Sequence, residues 1–282
     1  MSTVQVQRLG HVNTFAADHE AVAGYHARVL GAQTFMDWEE PAFGGRNALW
    51  RIAGTVVEIF SPTRPDGAIG QWVERNGSGW HSLEWTVPSL DAAIETMRER
   101  GIRITDHVEG QYAFTHPKDG HGISFELTEA HFPGDPRDDP GWTPPKAGEE
   151  NPLGIVGPVA ISVASHDPDA AARWLADLTG AEGVRAEERR HLNTRSVAVD
   201  FPDHVVEFVT PLVTPAVDHH LTDFLRDRGE RIFSVDFPVA DIYAARAALA
   251  GVGARFEQFG RTSLVLPLDE TGGARIELRA QV

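Results

Sequence analysis

Hydrophobic and polar positions follow two periods that alternate along the chain. In "GWHSLEWTV" (79–87), β-branched and aromatic residues follow the Gly/Ser/Asn cluster of "RNGSG", the pattern of a strand. Elsewhere the apolar spacing is helical: Val22, Tyr25 and Val29 share one face, as do Leu90, Ile94 and Met97, and Ala171, Leu175 and Leu178. Asp167-Pro168 pairs an N-cap with a first-turn proline. Gly31, Gly101, Gly180 and Gly253 stand where a left-handed C-cap is wanted.

These signals form a repeat of a strand, an amphipathic helix ending at Gly, then strands closing on an acidic residue. Its copies open with "GHVNTFAADHEAVAGYHARVLGA", "WHSLEWTVPSLDAAIETMRERGI", "GPVAISVASHDPDAAARWLADLTGA" and "IFSVDFPVADIYAARAALAGVGA". They close with "VVEIFSP", "ISFELTE", "VVEFVTP" and "RIELRA". The repeat also holds at higher order, since "IGQWVERNGSGWHS" matches "LTDFLRDRGERIFS". The expected fold is α+β: two tandem modules, each of paired βαβββ units forming a curved mixed sheet around a cleft. The modules are 1–130, with the site, and 156–282, with a degenerate one; the Pro-rich stretch 131–155 is a linker or a surface strap.

Alternation assigns faces. His81-Ser82-Leu83-Glu84 aligns with Phe233-Ser234-Val235-Asp236, and Phe233, Val235, Phe237 and Val239 form a wholly apolar face. His81 is therefore expected in the core between sheet and helix, with Ser82 and Glu84 facing the cleft. Val12, Thr14, Val57, Ile59, Ile123, Phe125 and Leu127 are expected in the core. His11, Asn13, Phe15, Glu58, Phe60, Ser124 and Glu126 then face the other way. The matching set in the second module, Pro158, Ala160, Glu207, Ser234, Asp236 and Glu277, has no histidine, so a site is expected in the first module only.

Composition narrows the function. A formal net charge of −16 argues against nucleic acid and anionic membranes as partners. The absence of cysteine excludes disulfides, thiolate metal sites and a cysteine nucleophile, and fits a cytoplasmic protein. No signal peptide or bilayer-spanning run is visible. The His219-His220 pair reads as surface.

The βαβββ quartet resembles the vicinal oxygen chelate superfamily, which includes glyoxalase I, extradiol dioxygenases, fosfomycin-resistance proteins and methylmalonyl-CoA epimerase. The first module is most similar to the epimerases, through "GHVNTFAAD", "VEIFSPTRPDGAIGQWVERNGSGWHSLEWTVPSLDAAIETMRERGI" and "FTHPKDGHGISFELTE". The resemblance implies a divalent metal (Zn, Co, Mn, Ni or Fe) at four strand positions, here His11, Glu58, Ser82 and Glu126. Ser82 stands where the family has a second histidine, leaving His11, Glu58 and Glu126 as ligands. The family's carboxylate base falls within "FGGRNALWRI", at Asn47 or Ala48, so Glu84 is the carboxylate expected to move a proton. Asn13, Phe15, Asn47, Trp50, Phe60 and Ser82 are the expected substrate contacts. The implied function is a metal-dependent isomerase, epimerase or lyase acting on a small carbonyl or acyl substrate through an enolate-like intermediate. An extradiol-type dioxygenase and a metal-free small-molecule binding protein are the alternatives, as monomer or homodimer.

Overall fold

The structure is a computed structural model that describes residues 2–281 apart from 147, 149 and 213–219. His219 and two linker positions thus lie outside the described residues.

The first module runs β1 (Arg8–Phe15), α1 (His19–Leu30), β2 (Gln33–Glu40), β3 (Gly45–Ile52), β4 (Thr55–Pro62), α2 (Ala68–Asn76), β5 (Gly79–Thr86), α3 (Leu90–Glu99), β6 (Ile104–Val108), β7 (Tyr112–Thr115) and β8 (Ser124–Thr128). The second repeats it as β9 (Val159–Ala164), α4 (Pro168–Thr179), β10 (Val184–Arg189), β11 (Thr194–Asp200), β12 (His204–Pro211), α5 (His220–Arg228), β13 (Arg231–Val239), α6 (Ile242–Gly251), β14 (Glu257–Phe259), β15 (Ser263–Val265) and β16 (Ile276–Ala280). Each module is one eight-stranded mixed sheet, with strand orders β2-β3-β4-β1-β5-β8-β7-β6 and β10-β11-β12-β9-β13-β16-β15-β14. The chain is α+β, with two tandem modules of one topology.

Local chemistry sets the helix ends. Asp18, Ser89, Asp167 and Asp241 each accept a backbone N–H of their helix's first turn, satisfying a donor that the helix leaves open. At the end of α1, Gly31 has φ 66°, and its N–H bonds back to the His26 carbonyl.

The compact units cut across the modules. One contains Met1–Gly10, His81–Ala130 and Val159–Val235; the other contains His11–Trp80, His131–Pro158 and Asp236–Val282. Each joins one βαβββ half of the first module to one half of the second.

In the first unit, Trp85 is fully buried against Phe125, with ring centroids 4.3 Å apart. Its indole N–H donates to His204 Nε2 at 3.1 Å. The imidazole proton is therefore on Nδ1, which donates to Asp203 Oδ1 at 2.7 Å. Asp203 Oδ2 accepts the Leu9 N–H at 2.9 Å, so a chain of hydrogen bonds from buried Trp85 out to exposed Asp203 ties β5 to the start of β1. In the second unit, α1 covers the sheet face of Arg46, Ser61, Val57 and Ile59. Arg46 spans Asp37 on β2 and Glu20 in the first turn of α1, and His19 Nδ1 lies 3.1 Å from Ser61 Oγ. The opposite face of β1, β3 and β4 lies on the other side of the sheet from α1.

Candidate metal centre

That opposite face carries the candidate chemistry. β1 and β4 run parallel with Asn13 beside Glu58 and Phe15 beside Phe60. β3 and β4 are antiparallel, with Leu49 opposite Glu58 and Asn47 opposite Phe60. Directly paired residues share a face, so His11, Asn13, Phe15, Asn47, Glu58 and Phe60 lie together. His11 is fully buried, and its Nε2 lies 2.9 Å from Glu58 Oε2. Phe132, from the strap between the modules, packs against the His11 ring at 5.4 Å.

β5 and β8 bring the other carboxylates. They pair in parallel, Ser82 beside Ser124 and Glu84 beside Glu126. Ser82, Glu84 and Glu126 are all buried. The Glu84 carboxylate lies against the backbone of β1: a Cβ at Gly10 would stand 1.8 Å from its Oε1. Only glycine leaves that space, which gives Gly10 a steric role.

His11, Glu84 and Glu126 form a group whose ligand atoms lie within 4.8 Å of one another. Among the described residues it is the one such group of histidine and carboxylate side chains. One imidazole nitrogen and two carboxylate oxygens suit a borderline divalent cation. A cation there would offset the cost of burying two carboxylates, and the donor set fits a metal.

The second module answers the same need differently. Glu207, the counterpart of Glu58, receives two hydrogen bonds from Arg189, at 2.8 and 2.7 Å. Asp236 and Glu277, the counterparts of Glu84 and Glu126, both pair with Arg279, at 2.6 and 3.1 Å. Guanidinium groups neutralise there the carboxylates that in the first module stand beside a histidine.

The expected site residues are thus partly regrouped. Glu84, expected as the proton-moving group, joins His11 and Glu126. Glu58, expected as a ligand, lies beside His11 and outside the three-residue group. Trp50 pairs with Val57 and so lies on the α1 side, away from Asn47. Three positions separate Trp50 from Asn47 on one strand, and that odd spacing was the available signal. His81 is half-buried, where the core was expected. Its Nδ1 is 2.9 Å from Ser82 Oγ, and its ring lies 6.2 Å from Phe114, which pairs with Glu126. Burial, with Arg231 nearby, lowers its pKa to about 4. Trp38, which sequence reasoning did not single out, pairs with Asn47 and joins the Glu58 face.

Comparison with known proteins fits this architecture. Residues 8–127, the first module, match the family model described as the Glyoxalase/Bleomycin resistance protein/Dioxygenase superfamily. The chain is 28% identical over 130 residues to the mitochondrial methylmalonyl-CoA epimerase of Homo sapiens, covering 44% of this chain and 74% of that protein. A mutant 4-hydroxymandelate synthase from Streptomyces coelicolor shares the fold over 98% of this chain and 94% of its own, with TM-score 0.71 and 16% identity. A methylmalonyl-CoA epimerase from Mycobacterium tuberculosis is 25% identical over 47% of this chain and 93% of its own, with TM-score 0.41.

Proposed function

We propose that the chain is a divalent-metal-dependent isomerase, epimerase or lyase that moves a proton next to the carbonyl of a small carbonyl or acyl substrate. The buried group of His11, Glu84 and Glu126 carries this reading. A cation held there supplies Lewis-acid stabilisation of the negative charge that develops on the substrate's carbonyl oxygen. The protein's own groups do the rest. Glu58, outside the three ligands and on the same face, takes the proton from the carbon next to the carbonyl and becomes a neutral carboxyl. Glu58 then gives its proton up to water, and a proton from water returns to the opposite face of that carbon in an epimerisation or to a neighbouring atom in an isomerisation, so no co-reactant is consumed. The human relative, by name an acyl-CoA epimerase, belongs to this reaction class.

An extradiol-type dioxygenase is less well supported, because its iron site takes two histidines and one carboxylate and this group has the reverse. A metal-free binding protein is favoured by one feature, Ser82 at the place of a second histidine.

The test is elemental analysis of protein purified without added metal or chelator. Exchange of the α-hydrogen of propionyl-CoA and methylmalonyl-CoA in deuterated water is then followed by NMR. Stoichiometric metal, lost in His11→Ala, and metal-dependent exchange are expected. Metal-free protein that takes up no added ion would overturn the metal-dependent reading.

A further inference from the structure

Beyond the charged cluster, the same face carries a cross-strand row of aromatic rings interrupted by one amide. Trp38 on β2 pairs with Asn47 on β3, Asn47 with Phe60 on β4, and Phe60 with Phe15 on β1. All belong to the second compact unit. Asn47 is 6% exposed, and its side-chain oxygen has no hydrogen-bond partner among the described residues. A buried amide oxygen left unpaired costs free energy unless something supplies a donor. Trp38 and Phe60, by contrast, are only half-buried.

The spacing defines what fits. Adjacent strands are about 4.8 Å apart, so Trp38 and Phe60, one strand either side of Asn47, stand roughly 10 Å from each other. Aromatic centroids pack about 4.5–7 Å apart, so that gap takes one ring between two others. Asn47, shorter than either neighbour, forms the floor. One end is closed by α2, where a Cβ at Gly45, two residues along β3, would stand 2.1 Å from Ile69 Cδ1. The other end leads to Leu49 and Glu58, the next pair on the same face. Beside Phe60, Phe15 is itself stacked on Trp72 of α2 at 4.3 Å, which braces that wall.

We propose that Trp38, Asn47 and Phe60 form a slot for a planar ring of the substrate that carries an O–H or N–H donor to Asn47 Oδ1. The ring would lie one residue pair from Glu58. The proposal rests on taking this face as the substrate face but not on a bound metal, so the test is run with and without chelator.

The probes are phenol and indole (ring with donor), anisole (ring without donor) and cyclohexanol (donor without ring). Binding is read from the Trp38 indole resonance, assigned with Trp38→Phe. Phenol and indole are expected to bind about tenfold more tightly than anisole or cyclohexanol, with chelator present or absent. Asn47→Leu should bring phenol and anisole to within about threefold of each other. Asn47→Ala, of smaller volume and without an acceptor, should do the same and covers the case in which the leucine variant fails to fold. Trp38→Leu, read from the Asn47 side-chain amide resonance instead, should weaken all three aromatic probes. Equal binding of phenol and anisole, discrimination that survives both Asn47 variants, or no binding of any probe would overturn the slot. If one of those outcomes is seen while metal uptake persists, the slot is wrong and the metal reading stands.

Discussion

The Glu84 carboxylate occupies the space where a side chain at Gly10 would stand: a Cβ there would meet Glu84 Oε1 at 1.8 Å. A backbone position on β1 thereby decides where a carboxylate of β5 is held, in the same group as His11 and Glu126.

Gly10→Ala should therefore displace Glu84. With one of three protein ligands moved, metal affinity is expected to fall about 10–100-fold, the range for lost support of a metal ligand. Titration with Zn²⁺ or Co²⁺, with circular dichroism as the control for folding, checks this. Unchanged affinity would remove Glu84 from the ligand set.

Glu84→Gln and Glu58→Gln should part company. The first is expected to lose bound metal along with exchange activity. The second should keep its metal and lose about 10²-fold or more in turnover, the scale of a general base. The opposite pattern would restore Glu58 as ligand and Glu84 as the proton-moving group.

His26, fully buried on α1, has no hydrogen-bond partner on either ring nitrogen among the described residues. Burial lowers its pKa from 6.5 to about 4. The unfolded chain therefore binds a proton in this window that the folded chain refuses. Stability is level above pH 6.5 and falls as pH drops from 6.5 toward 4. The loss should reach about 2 kcal/mol by about pH 5. Urea unfolding at several pH values should show a shallower acid slope in His26→Leu; an identical slope would mean that the imidazole is already protonated in the folded state.

His204→Leu should destabilise without touching the metal group. It leaves the Trp85 indole N–H without its acceptor in a fully buried setting. The expected cost is about 1–3 kcal/mol in urea unfolding, with metal stoichiometry unchanged.

The amino-acid sequence by itself determined the βαβββ repeat, because strand and helix periods, caps and turns are local. It also determined which face most strand residues occupy, since alternation needs only the phase of each strand: His11, Asn13, Glu58 and Phe60 share a face by register. Phase was also enough to separate Trp50 from Asn47. Distances across strands are another matter, because they depend on register and on how far each side chain reaches. Tertiary structure therefore decided that Glu84 joins His11 and Glu126, while Glu58 keeps its own contact with His11. It left His81 half-buried at the entry of β5, where Gly79, at φ 136°, departs from regular strand geometry. It also decided that the compact units pair half of one module with half of the other, since burial joins surfaces by complementarity and takes no account of their order in the chain.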